Sequence, residues 1–460
     1  MAAVKEKVVG TVSKAVLNYL DKDPENNIPK VMDWIEKFDK TGELKPHMRE
    51  VRKAWNDTDG NWHKLIMSLW SDVDAEQRKV FFEDFVVNAS ITGGMRQHEC
   101  QKKYNCNIPW SILMDPTTAC NLNCVGCWAA EYGSKYNMSY ETMDDIINQA
   151  NELGCYFFLY TGGEPTVRRK DLMNLCRAHP DTMFGAFTNA TLIDEDFADE
   201  IKSVKNFIPV ISIEGFEETT DARRGKGTYQ KIIDAMKILR EKKLIFGASV
   251  CYTSQNVDYV GSEEYFDYLI ELGCKFAWFF TYMPVGKESV PELMCTAEQR
   301  EFMYHQLRKF RETKPLFTID FWNDGQYVGG CIAGGRAYLH INANGDIEPC
   351  AFIHYSDSSV YDKTLLEAFQ SPLFMGYHNN QPFNDNMLRP CPVLDNPGRL
   401  TKIVEESGAK STDYQAQESA KEYSDKCVDK AVKWKPVADK LWQEQGKELG
   451  SELGKIGHKA

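Results

Sequence analysis

The 460 residues contain no uninterrupted apolar run near the roughly 20 that a membrane-spanning helix needs. The opening segment, MAAVKEKVVGTVSKAVLNYL, carries lysines at 5, 7 and 14 and lacks the apolar block of a secretion signal. Excess positive charge is missing too. There are 54 Lys and Arg against 67 Asp and Glu, a formal net charge of -13. Such a surface repels phosphate backbones, which argues against nucleic acid as a partner. Internal repeats and low-complexity tracts are also lacking. What is left reads as a cytoplasmic chain, 43% hydrophobic and long enough for two or three domains.

Cysteine, by contrast, is plentiful, with 14 in the chain. Disulfides are rare in a reducing compartment, so clustered cysteines there point to metal or catalysis. Cys155, Cys176, Cys251 and Cys274 sit in or beside apolar patterns and read as small buried hydrophobes. Nothing in their context decides Cys100, Cys106, Cys295 and Cys427. The other six have a spacing or context that simple packing does not explain.

Residues 1–107 read as helical. Apolar residues recur at helical spacing over 4–20, 31–38, 63–70 and 76–87. From Pro109 the rhythm changes. Strands are expected at 110–114, 155–160, 183–188, 207–213, 246–252 and 276–282. Helices are expected between them near 139–153, 170–178, 194–202, 228–242 and 262–272. Such alternation implies a parallel sheet with helices outside, and six units suit a partial barrel. Functional groups then gather at the C-terminal ends of the strands. Residues 323–400 are richer in Gly, Asn and Pro and read as a small loop-rich domain. Residues 401–460 read as a charged helical tail with Trp434, Val437 and Leu441 on one stripe.

Just after the first strand comes MDPTTACNLNCVGCWAAEYG, with Cys120, Cys124 and Cys127 in a Cys-x3-Cys-x2-Cys spacing. Three thiols in a polar loop make poor core material. A structural zinc site normally closes with four ligands, and a fourth here would have to come from afar. Thiolates are the usual ligands of [4Fe–4S] clusters, and three of them leave one iron open. The motif resembles that of the radical S-adenosylmethionine (SAM) superfamily, in the branch with an additional C-terminal cluster domain of SPASM or twitch type. The resemblance spans about 108–400. Many members have an aromatic residue just before the third cysteine; Gly126 stands there, with Trp128 just after. The resemblance implies SAM bound to the open iron, reductive cleavage to a 5′-deoxyadenosyl radical, and abstraction of hydrogen from an unactivated carbon.

Further contacts with SAM follow from the resemblance. The second expected strand ends in YTGGEP, and family likeness assigns Gly162, Gly163 and Glu164 to the amino group of SAM. Ser212 and Arg224, twelve positions apart, keep the spacing of a serine and arginine that hold the methionine carboxylate in relatives. Thr188 and Asn189 end a strand where the ribose or methionine part would lie. Tyr282 and Met283 end the last strand of the barrel, where they would line an adenine or substrate pocket.

Cys331 and Cys350 flank a strand–turn–strand pattern with a hairpin signal at Asn344-Gly345. That stretch matches the first half of the SPASM pattern, and Cys391 follows. The closely spaced cysteines of a second auxiliary cluster are lacking. One auxiliary [4Fe–4S] cluster is therefore expected on Cys331, Cys350 and Cys391, with the fourth ligand open: Cys427, another distant group or the substrate. Some relatives carry an acidic base directly after the second of these cysteines; here the residue is Ala351. Asp357, Asp395 and His354 are the candidate substitutes.

The expected architecture is α/β: a helical N-terminal region (1–107), a partial (β/α)6 radical SAM core (108–322), a SPASM/twitch-like domain (323–400) and a helical tail (401–460). The reductant expected is a flavodoxin or ferredoxin, and an oxygen-labile cluster suggests an anaerobic host. Two substrate classes remain. A peptide or protein is the first, although the N-terminal region lacks the strand–helix pattern of a leader-peptide domain. A lipid is the second, its acyl chains modified or coupled; the amphipathic 4–20 segment would then touch a membrane surface. A non-catalytic iron–sulfur sensor is the remaining alternative, and it leaves the GGEP loop unused.

Overall fold

The computed structural model describes residues 15–38 and 45–447. The segment expected to face a membrane falls mostly on residues 1–14, outside the described residues. Among the described residues, no helix is long and apolar enough to cross a membrane.

Short apolar runs become strands of one nine-stranded sheet in the order β7-β6-β5-β4-β3-β2-β1-β8-β9. Six of them lie where the alternation placed them: β1 (Ser111–Met114), β2 (Phe157–Tyr160), β3 (Met183–Thr188), β4 (Phe207–Ser212), β5 (Gly247–Tyr252) and β6 (Phe276–Thr281). All pair in parallel, joined by helices such as Tyr140–Glu152, Arg169–Ala178 and Thr228–Glu241. Each helix buries one apolar face against the sheet; Met143, Ile146, Ile147 and Ala150 do so for the first.

Two parallel strands extend the expected six. After helix Ala297–Thr313, β7 (Phe317–Asp320) adds to β6. At the opposite side β8 (Tyr338–Ile341) pairs in parallel with β1, Ser111 opposite Tyr338 and Met114 opposite Ile341. That segment belongs to the barrel sheet, not to the separate small C-terminal domain that its Gly-, Asn- and Pro-rich context suggests. Its four residues are all buried, and β1 offers the free edge they complete. The expected hairpin follows: β9 (Ile347–Glu348) returns antiparallel to β8 through a turn with Gly345 at φ 88°. Side chains from β1 to β8 line one common cavity, so the sheet curls into an open barrel.

The N-terminal helices plug the barrel's lower end. Two of them, Lys45–Asn56 and Gly93–Tyr104, lie outside the expected apolar segments. A wide-turn π-helix, Phe81–Thr92, follows Ala75–Val80. Phe85 from this helix meets Trp110 at 5.5 Å and Phe157 at 5.1 Å, at the start of the strands. In the tail, helix Ala420–Glu444 buries Trp434, Ala438, Leu441 and Trp442 against the body, on the stripe the sequence showed.

Candidate active site

The cysteine loop leaves β1 and runs against the loop that leaves β2. The Gly163 amide donates to the Thr117 carbonyl (3.0 Å), and the Glu164 amide to that of Ala119 (2.8 Å). A methyl group on Gly163 would sit 2.2 Å from the Ala119 carbonyl oxygen, and Gly162 adopts φ 99°. Glycine is needed here because two backbones approach each other.

Glu164 is 1% exposed. Its carboxylate accepts from the Thr166 amide (3.0 Å), the Thr188 hydroxyl (2.7 Å) and the Asn189 amide (2.7 Å). Burial pushes its pKa up, against those hydrogen bonds. The side chain expected to meet an ammonium group is therefore engaged by its own surroundings, bracing the ends of β2 and β3. Asn189 completes the brace: its side-chain amide donates to Asn121, between the first two loop cysteines, at 2.8 Å.

Ser212 ends β4, and Glu214 lies two residues on. Glu214 accepts from Arg223 Nη1 (2.9 Å) and Arg224 Nη2 (2.5 Å), and Arg224 Nε binds its other oxygen. Burial alone would raise the Glu214 carboxyl; Arg224 and Arg223 outweigh it and hold it below the usual range. Arg224 turns Nη1 toward Cys124, 3.9 Å from Sγ. Val125 and Arg223 are tied both ways, Val125 N to Arg223 O at 2.9 Å and Arg223 Nε to Val125 O at 3.3 Å. Nothing in the resemblance points to Glu214 as an ion-pair partner. An acid at a strand end followed nine and ten residues on by paired arginines was the available signal.

The three thiols are free, Cys120 exposed and Cys124 and Cys127 half-buried. Burial pushes Cys124 up to about 11 and Cys120 also upward. Coordination reverses such a shift, because a metal-bound thiol is deprotonated outright. Among the described residues no three His, Cys, Asp or Glu side chains converge on a single-ion site. The donor set fits a cluster instead: three sulfurs from one loop, each able to take a different iron, beside a guanidinium. Gly126 has φ 65°, and a methyl there would lie 2.7 Å from the Tyr282 ring. Tyr282, from the end of β6, thus supplies the aromatic cover that the glycine position lacks.

Below this loop lies a cavity of about 430 Å³. Ser212, Glu214, Arg223, Arg224 and Tyr282 line its mouth, and aromatic side chains line its depth. Cys251, read as a packed hydrophobe, instead borders this cavity beside Arg223. The other three so read, Cys155, Cys176 and Cys274, are buried, as are the four left undecided.

Cys331, Cys350 and Cys391 line a second cavity of about 100 Å³ together with Tyr338 and Tyr377. The Tyr338 hydroxyl lies 2.6 Å from Cys350 Sγ. Burial raises all three thiols, Cys350 to about 12. Three sulfurs lining one apolar pocket suit an auxiliary cluster by donor type. Cys427 is buried on helix Ala420–Glu444 and does not line this cavity. Cys350 and Cys391, 41 positions apart, thus line one cavity that the sequence alone does not bring together.

The three candidate substitutes for a base are each engaged elsewhere. His354 pairs with Asp413 at 2.6 Å. Asp395 holds Arg300 at 2.6 Å and the Cys391 amide at 3.0 Å. Asp357 accepts from the Leu373 amide at 2.8 Å. None of them lines either cavity. The barrel and the auxiliary loop are joined by Trp128, whose ring lies 5.5 Å from His340, 6.0 Å from Phe352 and 6.0 Å from His354.

Residues 114–277 match the family described as Radical SAM superfamily. Among curated proteins, the chain is 29% identical over 230 residues to the Fe-coproporphyrin III synthase of Methanosarcina barkeri, covering 47% of this chain and 57% of that one. It is 27% identical over 274 residues to the mycofactocin maturase MftC of Mycolicibacterium smegmatis, covering 56% and 67%. Among solved structures, SuiB of Streptococcus suis superposes with a TM-score of 0.55 at 20% identity, over 89% of this chain and 92% of that one. That likeness is one of fold.

Proposed function

With this chain a member of the radical SAM superfamily, in its SPASM/twitch-bearing branch, we propose that it abstracts hydrogen from an unactivated carbon of a substrate held in the barrel. One observation carries the reading: the Cys120, Cys124 and Cys127 loop lies beside the Glu214–Arg224 pair, at the mouth of a cavity built by the parallel strands. When bound, a [4Fe–4S] cluster and SAM supply one-electron cleavage of the sulfonium to methionine and a 5′-deoxyadenosyl radical.

The chain's own groups bind and orient. Cys120, Cys124 and Cys127 hold the cluster. Arg224, whose fork is preorganised by Glu214, receives the methionine carboxylate together with Ser212. The 162–164 loop offers backbone carbonyls to the amino group, since the Glu164 side chain is engaged. Asn189 borders the ribose. Cys331, Cys350 and Cys391 hold one auxiliary [4Fe–4S] cluster, a reading supported by the cavity they share. A flavodoxin or ferredoxin supplies the electron, in the cytoplasm of an anaerobic host.

Two substrate classes need chemistry this severe: an aliphatic position of a peptide or protein, and the acyl chain of a lipid. The maturase names of relatives such as MftC support the first. The apolar depth of the cavity favours the second.

Anaerobic reconstitution followed by iron and sulfide counts and 5′-deoxyadenosine detection tests the reaction. Cys124→Ala is expected to lose the first cluster and to reduce 5′-deoxyadenosine to background. Undiminished turnover by that variant would remove the basis of the reading.

A further inference from the structure

We infer that the barrel cavity is a binding site for an extended alkyl chain, so that the hydrogen is taken from a methylene of a lipid acyl chain. This rests on the radical reading above and specifies its substrate class.

The inner face of the barrel is unusual in what it leaves accessible. On β6 the outward residues Ala277 and Phe279 are buried in the core with the helices, whereas the inward Trp278 and Phe280 are only half-buried and line the cavity. Barrel interiors are normally filled by their own side chains. Here Phe157, Leu159, Phe187, Trp278, Phe280 and Phe321 face a shared space of about 430 Å³. They form a continuous wall: Phe187 lies 5.4 Å from Trp278 and 5.8 Å from Phe280, and Phe280 lies 5.1 Å from Phe321. Trp110 and Phe157, 5.1 Å apart, border it at the strand starts. From the level of Phe157 to that of Thr161 the strand rises about 13 Å.

What the wall does not offer decides the occupant. The strand amides and carbonyls around it are committed to parallel ladders from β7 through β1 to β8. An extended peptide reaching that depth would bring about four residues of backbone, with no sheet edge to pair it. Each buried group left unpaired disfavours that guest. A guest that carried a charge down to that wall fares no better, because the ionic groups Glu214, Arg223 and Arg224 all lie at the mouth. Arg336, the remaining charged residue on the lining, donates to the carbonyls of Cys331 (2.7 Å), Val328 (2.7 Å) and Gly330 (3.0 Å). A chain of methylenes asks for none of these groups, and each one buried is favourable. Its polar end stays at the mouth.

The step balances simply. One C–H bond of a methylene breaks homolytically and its hydrogen atom joins the 5′ carbon, giving 5′-deoxyadenosine and leaving the unpaired electron on the alkyl carbon; the electron that cleaved SAM comes from the low-potential reductant.

The full chain, reconstituted anaerobically with SAM and dithionite, is given either perdeuterated palmitate or vesicles of perdeuterated dipalmitoyl phosphatidylglycerol. Mass spectrometry reads deuterium in 5′-deoxyadenosine. Deuterium is expected in at least one arm; the arm distinguishes free acid from membrane lipid. Ser249→Phe, which places a ring opposite Trp278, is expected to lower the signal by about tenfold or more. Unlabelled 5′-deoxyadenosine in both arms overturns the inference and leaves the radical reading standing. Deuterium arriving only from a peptide digest of deuterated-leucine protein also overturns it, by assigning an aliphatic side chain. If no 5′-deoxyadenosine forms, the radical reading fails. Saturable fluorescence of cis-parinaric acid on the protein, which needs no turnover, then decides the site alone, and its absence overturns the alkyl site.

Discussion

At residue scale, the cysteine loop owes its position to groups that never touch a sulfur. Gly163 lets the loop after β2 dock on the 117–119 backbone, where a carbonyl oxygen has no flexible end to yield. Gly163→Ala is therefore expected to destabilise the protein by about 1–3 kcal/mol, as overpacking does. A urea midpoint would show it, with a matching fall in iron retained on reconstitution. An unchanged midpoint would mean that the two loops separate freely. Glu164 has the same character: a buried carboxylate that braces Thr166, Thr188 and Asn189. Sequence resemblance directs attention to its chemistry; its hydrogen bonds show a structural task.

At the scale of elements, Arg300 joins three of them. It sits on helix Ala297–Thr313, donates to Asp395 at 2.6 Å beside Cys391, and lies 4.3 Å from the Trp434 ring on helix Ala420–Glu444. Both members of the pair are buried, at 6% and 0% side-chain exposure. Removing one partner of a buried pair leaves a charge uncompensated, at a cost of about 3–5 kcal/mol. Arg300→Met should lower the unfolding midpoint accordingly. The double variant Arg300→Met with Asp395→Leu should recover most of the loss. If it recovers nothing, the cation–ring contact and the 2.8 Å bond that Arg300 Nε donates to the Asn323 side-chain oxygen carry the stability instead.

At the scale of the whole molecule, His340 sits where barrel and auxiliary domain meet. It lies between Asp115 at 2.9 Å and Glu348 at 2.6 Å, with neither the ring nor the carboxylates exposed. Burial works against the charged imidazole, and the two carboxylates outweigh it, raising its pKa to about 10. The unfolded value is about 6.5. A raised folded pKa contributes stability that is complete below the unfolded value and lost as pH rises through the folded one. Stability should thus decline between about pH 6.5 and 10, and His340→Gln should flatten that decline. Urea midpoints of both proteins across this range test it. Parallel pH profiles would place the charge elsewhere.

Sequence by itself determined the alternation that makes six of the strands, because short apolar runs and the 3.6-residue period of the helices between them are written locally in each segment. It also directed attention to the cysteine loop, since three thiols within eight residues need no long-range partner to be informative. Only the tertiary structure decided the pairing of Tyr338–Ile341 with β1, the Glu214–Arg224 clamp and the meeting of Cys331, Cys350 and Cys391. It alone showed an inner wall of aromatics open to a guest. Each of these depends on which distant segments share an edge or a space, and local pattern carries no record of that.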